Sequence, residues 1–309
     1  MSEHARRVVL TDPGRREITV GQLEALGLRP GRPLLVHTSL RRLGMGRDGA
    51  PALFDALAAW SARDGGGVIV PSFSWETEDP AGWIDPPLPR HELPARQAMV
   101  GPFDPASTPV HTELGFFPEY FRRQPGVTRG THPSLAFAGI GDGAAAAVLA
   151  QPMHLPFGPE SPLGWLYEQS GQVLMVATDL TTMTLLHLAE TIAPRSYVRA
   201  TSRRVRVVGG WAWYHGGPSC GKAFGRAAAI WGPAVAGRGR IGQAEVTAVN
   251  ARELVDLALA RLATGDPAWL LCDQGTCPCC DRAHSWLRAE TDHIWYGDPA
   301  DIPSAPRQG

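Results

Sequence analysis

Three short apolar runs constrain this chain most. Pro33-Leu-Leu-Val-His37, Val68-Ile-Val70 and Gln172-Val-Leu-Met-Val-Ala177 are strand-sized and bounded by polar or turn residues. The first ends in Thr38-Ser39, and the second runs into Ser72-Phe73-Ser74. Helical patterns stand between them. An amphipathic stretch covers 50–63 and is stopped by Gly65-Gly-Gly67. Others cover 113–123 and the Ala-rich 143–150, and Ser161-Pro162 is a cap followed by proline at the first helical position. Thr19-Val-Gly-Gln22 has the form of a capping box. Buried strands alternating with helices predict an α/β sheet. A further strand is expected over 135–139, and a long Pro-rich loop over 75–112, a length that is usually functional or disordered.

The pattern changes after about residue 195. Arg203-Arg-Val-Arg-Val-Val208, Gly209-Gly210 and Trp211-Ala-Trp-Tyr-His215 read as a β-hairpin with a two-residue turn. An Ala-rich helix, another strand and a helix opened by Asn250-x-x-Glu253 follow. The chain is expected to be one domain over 1–309, with about 195–285 as a C-terminal subdomain and a frayed tail after about Gly297.

Composition excludes several classes. In 309 residues, 29 Lys and Arg stand against 30 Asp and Glu, so there is no electrostatic case for nucleic acid or an acidic membrane surface. No apolar run suggests a signal peptide or a spanning helix, and the protein is expected to be soluble and cytoplasmic. Five cysteines, four of them between 272 and 280, suggest metal or free thiols rather than disulfides in a reducing compartment.

Several constellations carry chemistry. In Thr181-Thr-Met-Thr-Leu-Leu-His-Leu-Ala-Glu190, helical spacing puts Thr184, His187 and Glu190 on one face among leucines. That is either a core histidine held by an acid or a general base with its orienting carboxylate. His37-Thr-Ser-Leu-Arg41 ends a buried strand, where open α/β sheets bind ligands; a helix N-cap explains it equally well. Arg129-Gly-Thr-His-Pro133 suits a diphosphate or loop carbonyls. Gly237-Arg-Gly-Arg-Ile-Gly242 matches a dinucleotide fingerprint but follows no clear strand and opens no helix. In Cys272-Asp-Gln-Gly-Thr-Cys277-Pro-Cys279-Cys280-Asp-Arg-Ala-His284, Cys277-x-x-Cys280 has knuckle spacing for zinc. Cys272 and Cys220 could complete the site, with Cys279 and His284 in reserve; free thiols are the alternative.

Taken in series, seven segments resemble the antibiotic N-acetyltransferase family, the aminoglycoside 3-N-acetyltransferases. They are Leu34-Leu-Val-His-Thr-Ser39, Gly67-Val-Ile-Val-Pro-Ser72, Phe103-Asp-Pro-Ala-Ser-Thr-Pro109, Gly126-Val-Thr-Arg-Gly-Thr-His-Pro133, Ser161-Pro162, Gly171-Gln-Val-Leu174 and Leu186-His-Leu-Ala-Glu190. The resemblance spans about residues 19 to 263. It implies a mixed central sheet with flanking helices, acetyl-CoA as cosubstrate in an elongated cleft, and an acidic pocket for a polycationic aminosugar. It implies His187 as base and Glu190 as its partner, with Ser39 and Thr184 as catalytic candidates. His37, Thr38, Ser39, Leu40, Arg41, Ser72, Thr108, Arg129 and His132 become candidates for holding acetyl-CoA. Glu76, Asp79, Asp104 and Glu190 become candidates for the acceptor, alongside Glu78, Glu92 and Glu160. The protein would be a monomer or homodimer.

Two features depart from the family pattern. The segment before the motif histidine usually carries an Asp and often an Asn, then two hydroxyl residues; here Thr181, Met183, Thr184 and Leu185 stand there. Loss of that carboxylate keeps open an acyl-CoA acyltransferase for another amine, and a third possibility is a non-catalytic zinc-stabilised binding protein. The cysteine-rich end resembles the apramycin-acting branch, which implies a structural zinc on Cys220, Cys272, Cys277 and Cys280.

Overall fold

The three apolar runs lie side by side at the centre of one sheet. The computed structural model describes residues 7–9, 18–44, 47–63, 66–82, 88–198, 202–216, 220–241 and 244–288. In chain order the strands are β1 (Arg7–Val9), β2 (Leu34–Thr38), β3 (Val68–Pro71), β4 (Val127–Arg129), β5 (Phe137–Ile140), β6 (Gln172–Val176), β7 (Ser202–Val207), β8 (Gly210–His215), β9 (Val235–Ile241) and β10 (Ala244–Asn250). Eight of them form a mixed sheet in the order β1-β9-β10-β6-β2-β3-β5-β4, and β7 pairs only with β8. The central β6, β2 and β3 are mutually parallel, with Leu35 opposite Val173 and Ile69. Antiparallel β10 and β5 flank them.

Alternation along these strands divides the core in two. Leu35, Ile69, Val173 and Met175 face one side, where Leu254, Val255, Ala258 and Leu262 of the helix Ala251–Thr264 cover them. Leu34, Val36, Val68, Val70, Leu174 and Val176 face the other, under Leu53, Ala56, Leu57 and Trp60 of the helix Gly49–Ser61. Period-two side chains on a strand buried on both faces give this division directly. The capping box at Thr19 forms, with Thr19 accepting from the Gln22 N–H and Gln22 reaching back. Ser161 caps the helix Pro162–Glu168 by accepting from the Leu163 and Gly164 N–H groups.

Several expectations fail for reasons of long-range contact. Residues 75–112 are not a featureless loop: within them lie 3₁₀ turns at Trp75–Thr77, Pro80–Gly82 and Arg90–Glu92, and the helix Leu93–Met99. Buried Arg129 ties this segment down, donating to the Ser72 carbonyl (2.7 Å), the Ser74 hydroxyl (2.8 Å) and the Thr108 carbonyl. Within 195–285, β9 and β10 return to the main sheet, while β7 and β8 pair only with each other. Residues 237–241 of the glycine motif run along β9, and Gly242 lies outside the described residues; a Cβ at Gly237 would stand 2.2 Å from the Leu26 carbonyl oxygen, so that glycine serves close backbone approach rather than a phosphate. The hairpin forms with its turn at Val208-Gly209, one residue earlier than expected, since Val207 pairs Gly210. The cysteine segment ends in a helix, Pro278–Arg288. The tail after Gly297 lies outside the described residues. Among the described residues no helix is long and apolar enough to cross a membrane.

Candidate active site

The carboxyl ends of β2, β3 and β6 open into one cleft of about 950 Å³. Such a row of parallel-strand ends is where α/β sheets bind ligands. The wall after β2 is His37 to Arg42, the wall after β3 includes Pro71, Phe73 and Trp75, and the wall after β6 is Thr178 to Thr184. Ala177 turns the chain out of β6 with φ at 55°, a left-handed conformation that costs a non-glycine residue about 1–2 kcal/mol.

His187 faces the cleft from the helix Leu186–Ile192. Its Nδ1–H donates to Glu190 Oε2 at 2.6 Å, and the other Glu190 oxygen accepts from the Tyr197 hydroxyl. Glu190 is 1% exposed, and burial pushes its carboxyl above the usual range against the opposing pull of His187. With Nδ1 engaged, Nε2 is the nitrogen left for the cleft. Phe157 stacks on the imidazole at 5.1 Å and Phe224 packs on it at 4.7 Å, so the ring has one orientation.

The cleft also has polar groups without partners. His37 Nε2, Thr38 Oγ1 and Thr178 Oγ1 are buried and make no hydrogen bond, although buried polar atoms are nearly always paired. Ser39 follows, its N–H donating to the Val176 carbonyl at 2.9 Å and its side chain capping nothing. Thr184 also lines the cleft. Arg41, Arg42 and Arg47 make one end basic.

The structure thus brings together His37, Thr38, Ser39, Leu40, Arg41, Thr184 and His187, with Glu190 behind His187. The other candidates lie elsewhere. Ser72, Thr108 and Arg129 build the loop brace already described. His132 Nδ1 accepts from the Leu135 N–H at 2.9 Å and its Nε2 meets the Met153 carbonyl at 3.2 Å, so both nitrogens are occupied. The loop carboxylates are occupied too, each by a partner distant in sequence or in its own turn. Glu76 bonds His111 at 2.7 Å. Glu78 holds Arg203 at 3.1 Å and Tyr214 at 3.1 Å, docking the hairpin. Asp79 accepts from Gln97 at 2.9 Å and Arg204 at 3.1 Å. Asp104 caps its own turn through the Ala106 N–H and Ser107. Glu92 and Glu160 do not line the cleft, and Glu190 is too deep to touch an acceptor. The cleft carboxylates are instead Glu113 and Asp179, which sequence reasoning missed. Asp179, two residues before the place where the family acid is absent, pairs with Arg42 at 3.2 Å. The signal was present, an acid at the end of a buried strand. A smaller cavity of about 440 Å³, bordered by Arg29, Arg32, Gln172 and Arg252, lies at the amino ends of β2 and β6.

Burial holds the His37 imidazole down to about 3 and that of His132 down to about 4. Both are neutral at pH 7, whereas the unfolded residues titrate near 6.5. Below about 6.5 the unfolded chain therefore takes up protons that the folded chain refuses, and stability falls with pH until the folded values are reached. Urea unfolding at pH 7 and pH 5 is expected to differ by about 2 kcal/mol for each of the two histidines. Equal stability at the two values would contradict this assignment.

Behind the site, the sulfurs of Cys220, Cys272, Cys277 and Cys280 all lie within 4.8 Å of one another. Cys220 Sγ is 3.7 Å from both Cys272 Sγ and Cys277 Sγ. A tetrahedral zinc with bonds of about 2.3 Å needs sulfurs about 3.8 Å apart, so the donor set fits. His284 turns its Nε2 to the Cys272 carbonyl at 2.8 Å, and Cys279, whose Sγ is 2.9 Å from Cys277 Sγ, is not one of the four.

A family model described as aminoglycoside 3-N-acetyltransferase matches residues 35–263. The SPbeta prophage-derived aminoglycoside N(3')-acetyltransferase-like protein YokD of Bacillus subtilis is 31% identical over 203 residues, 66% of this chain and 74% of that protein. Aminoglycoside N(3)-acetyltransferase IV of Salmonella sp is 35% identical over 59% of this chain and 61% of its own length, so less than two thirds of that relative is spanned. The crystal structure of aminoglycoside acetyltransferase AAC(3)-IVa superposes with a TM-score of 0.70 at 29% identity, over 92% of this chain and 99% of that one. A variant of that enzyme has been solved with a gentamicin and with apramycin, and AAC-IIIb with CoASH.

Proposed function

This chain belongs to the aminoglycoside 3-N-acetyltransferase family, and from that membership we propose that it transfers the acetyl group of acetyl-CoA directly to an amine of an aminoglycoside, at the 3-amine of the deoxystreptamine ring, with His187 as general base. The observation that carries this reading is the His187 ring itself: Nδ1 is committed to a buried carboxylate, and Nε2 is presented to the cleft. The CoA-bound and aminoglycoside-bound relatives support the choice of substrates.

The chemistry follows from the arrangement. An aminoglycoside amine is largely ammonium at neutral pH and cannot attack. His187 Nε2 takes its proton, and the freed lone pair attacks the thioester carbonyl carbon. The C=O electron pair moves to oxygen, for which Thr38 and Ser39, residues that line the cleft, are the candidate donors. Collapse expels CoA as thiolate, which takes a proton back from the imidazolium, while the nitrogen loses its remaining extra proton to water. Arg41 and Arg47, which line the cleft, are the candidates for the CoA phosphates. Glu113 and Asp179 are the cleft carboxylates a polycationic acceptor would meet, Asp179 in place of its pairing with Arg42. Holding both substrates together supplies rate through proximity. A structural zinc on Cys220, Cys272, Cys277 and Cys280 belongs to this reading; it would brace the C-terminal segment and takes no part in the transfer.

Thiol release from acetyl-CoA tests the reading against apramycin, gentamicin, tobramycin, neomycin and a simple diamine. Fast release with at least one aminoglycoside and none with the diamine is expected. Release only with the diamine would overturn the aminoglycoside assignment.

A further inference from the structure

The catalytic histidine is held from behind by the cysteine-bearing segment. Tyr197, whose hydroxyl donates to Glu190, is 1% exposed and packs in one cluster with Leu271, Cys272, Cys277 and Cys280. A second tie runs through Cys220. Gly221 follows it so closely against the cleft wall that a Cβ there would stand 2.2 Å from the Thr181 carbonyl oxygen. Three residues on, Phe224 packs on the His187 ring. A third tie is Arg226, which donates to the Leu271 carbonyl at 2.8 Å and pairs with Asp273 at 2.7 Å, locking the turn that carries Phe224 to the loop that carries Cys272.

We propose that Tyr197 is a positioning residue for the acetyl transfer, through which the four-cysteine centre sets the Glu190–His187 pair. The inference rests on His187 being the base, and it deepens that reading. Tyr197 touches neither substrate. Its hydroxyl occupies the Glu190 oxygen that does not face His187, so the carboxylate keeps one rotamer and its second oxygen stays aimed at Nδ1. A hydroxyl donating to a charged acceptor in a buried site is strong enough for its loss to matter in the rate. Anything that opens the cysteine centre frees Tyr197 and, with Phe224, loosens the imidazole.

Tyr197→Phe tests this, since the ring stays in the cluster and only the hydroxyl leaves. In the intact chain, kcat is expected to fall on the order of tenfold with KM for acetyl-CoA unchanged. The Nδ1 proton of His187, read by NMR on protein labelled with ¹⁵N-histidine, is expected to shift from its wild-type position. The same shift is expected in wild-type protein after chelation of its metal. An unshifted proton in both samples, or a Tyr197→Phe protein with wild-type kcat, would overturn the proposal. The proton signal needs no turnover. An enzyme inactive with every aminoglycoside but showing both shifts would therefore sink the substrate reading and leave the coupling standing.

Discussion

Replacing His187 with alanine is expected to lower kcat by roughly a hundredfold or more while leaving KM for acetyl-CoA largely unchanged. Positioned general bases contribute about 10²–10⁴-fold. In the proposed mechanism the other imidazole of the cleft is no substitute: burial holds His37 neutral down to about 3, which makes it a poor proton acceptor. The carboxylates Asp179 and Glu113 belong to the acceptor side of the proposed site, and Asp179 is paired with Arg42. Removing the imidazole also empties the space between Phe157 and Phe224, so added imidazole should restore part of the rate. Steady-state kinetics with both substrates varied gives the check. A variant with wild-type kcat would remove His187 from the mechanism, whereas a rise in KM alone would make it a binding residue.

Metal removal should have the largest effect on stability. Metal analysis of protein purified without added zinc is expected to find about one zinc per chain. Stripping it should cost several kcal/mol and lower the melting temperature by roughly 10 °C, since structural zinc sites contribute binding energy directly to folding. The physical reason is local. The segment around Cys272–Cys280 has a small core of its own, with Ala268, Leu271 and Ala283 as its buried aliphatics beside Tyr197 and Val198. Four sulfurs at this spacing without a cation would leave partly buried thiols crowded against one another. Cys272→Ser should lose the metal, and Cys279→Ser should keep it, because Cys279 is not one of the four. Zinc well below one per chain, or equal loss in both variants, would contradict the assignment.

The legible part of the site was local. His187 and Glu190 sit three residues apart on one helix, and the backbone alone brings them together. His37 to Arg41 lie at and just beyond the end of a strand whose apolar run announces it. The cysteine spacing gave the knuckle half of the sulfur cluster. The illegible part depended on partners far away. Arg129 and His132 look like ligand residues in a loop, yet Arg129 bridges to residues about 55 positions away and His132 caps a turn. Glu78 and Asp79 look like free loop acids, yet each pairs with an arginine 125 residues on. Tyr197, Phe224 and Thr178 carry no motif at all.

By itself the sequence determined the strand cores, the helix caps, the His–Glu pair and the resemblance to a family, because periodicity, capping and i,i+3 spacing are written within a few residues. Only the tertiary structure decided that β9 and β10 rejoin the main sheet, that the loop acids brace the hairpin, and that Asp179 and Glu113 face the cleft. It also decided that the cysteine centre stands behind the His187–Glu190 pair. The reason is that a charged side chain has the same sequence signature whether it meets a ligand or a distant partner. Which of the two it meets is settled when chain segments more than a hundred residues apart come into contact.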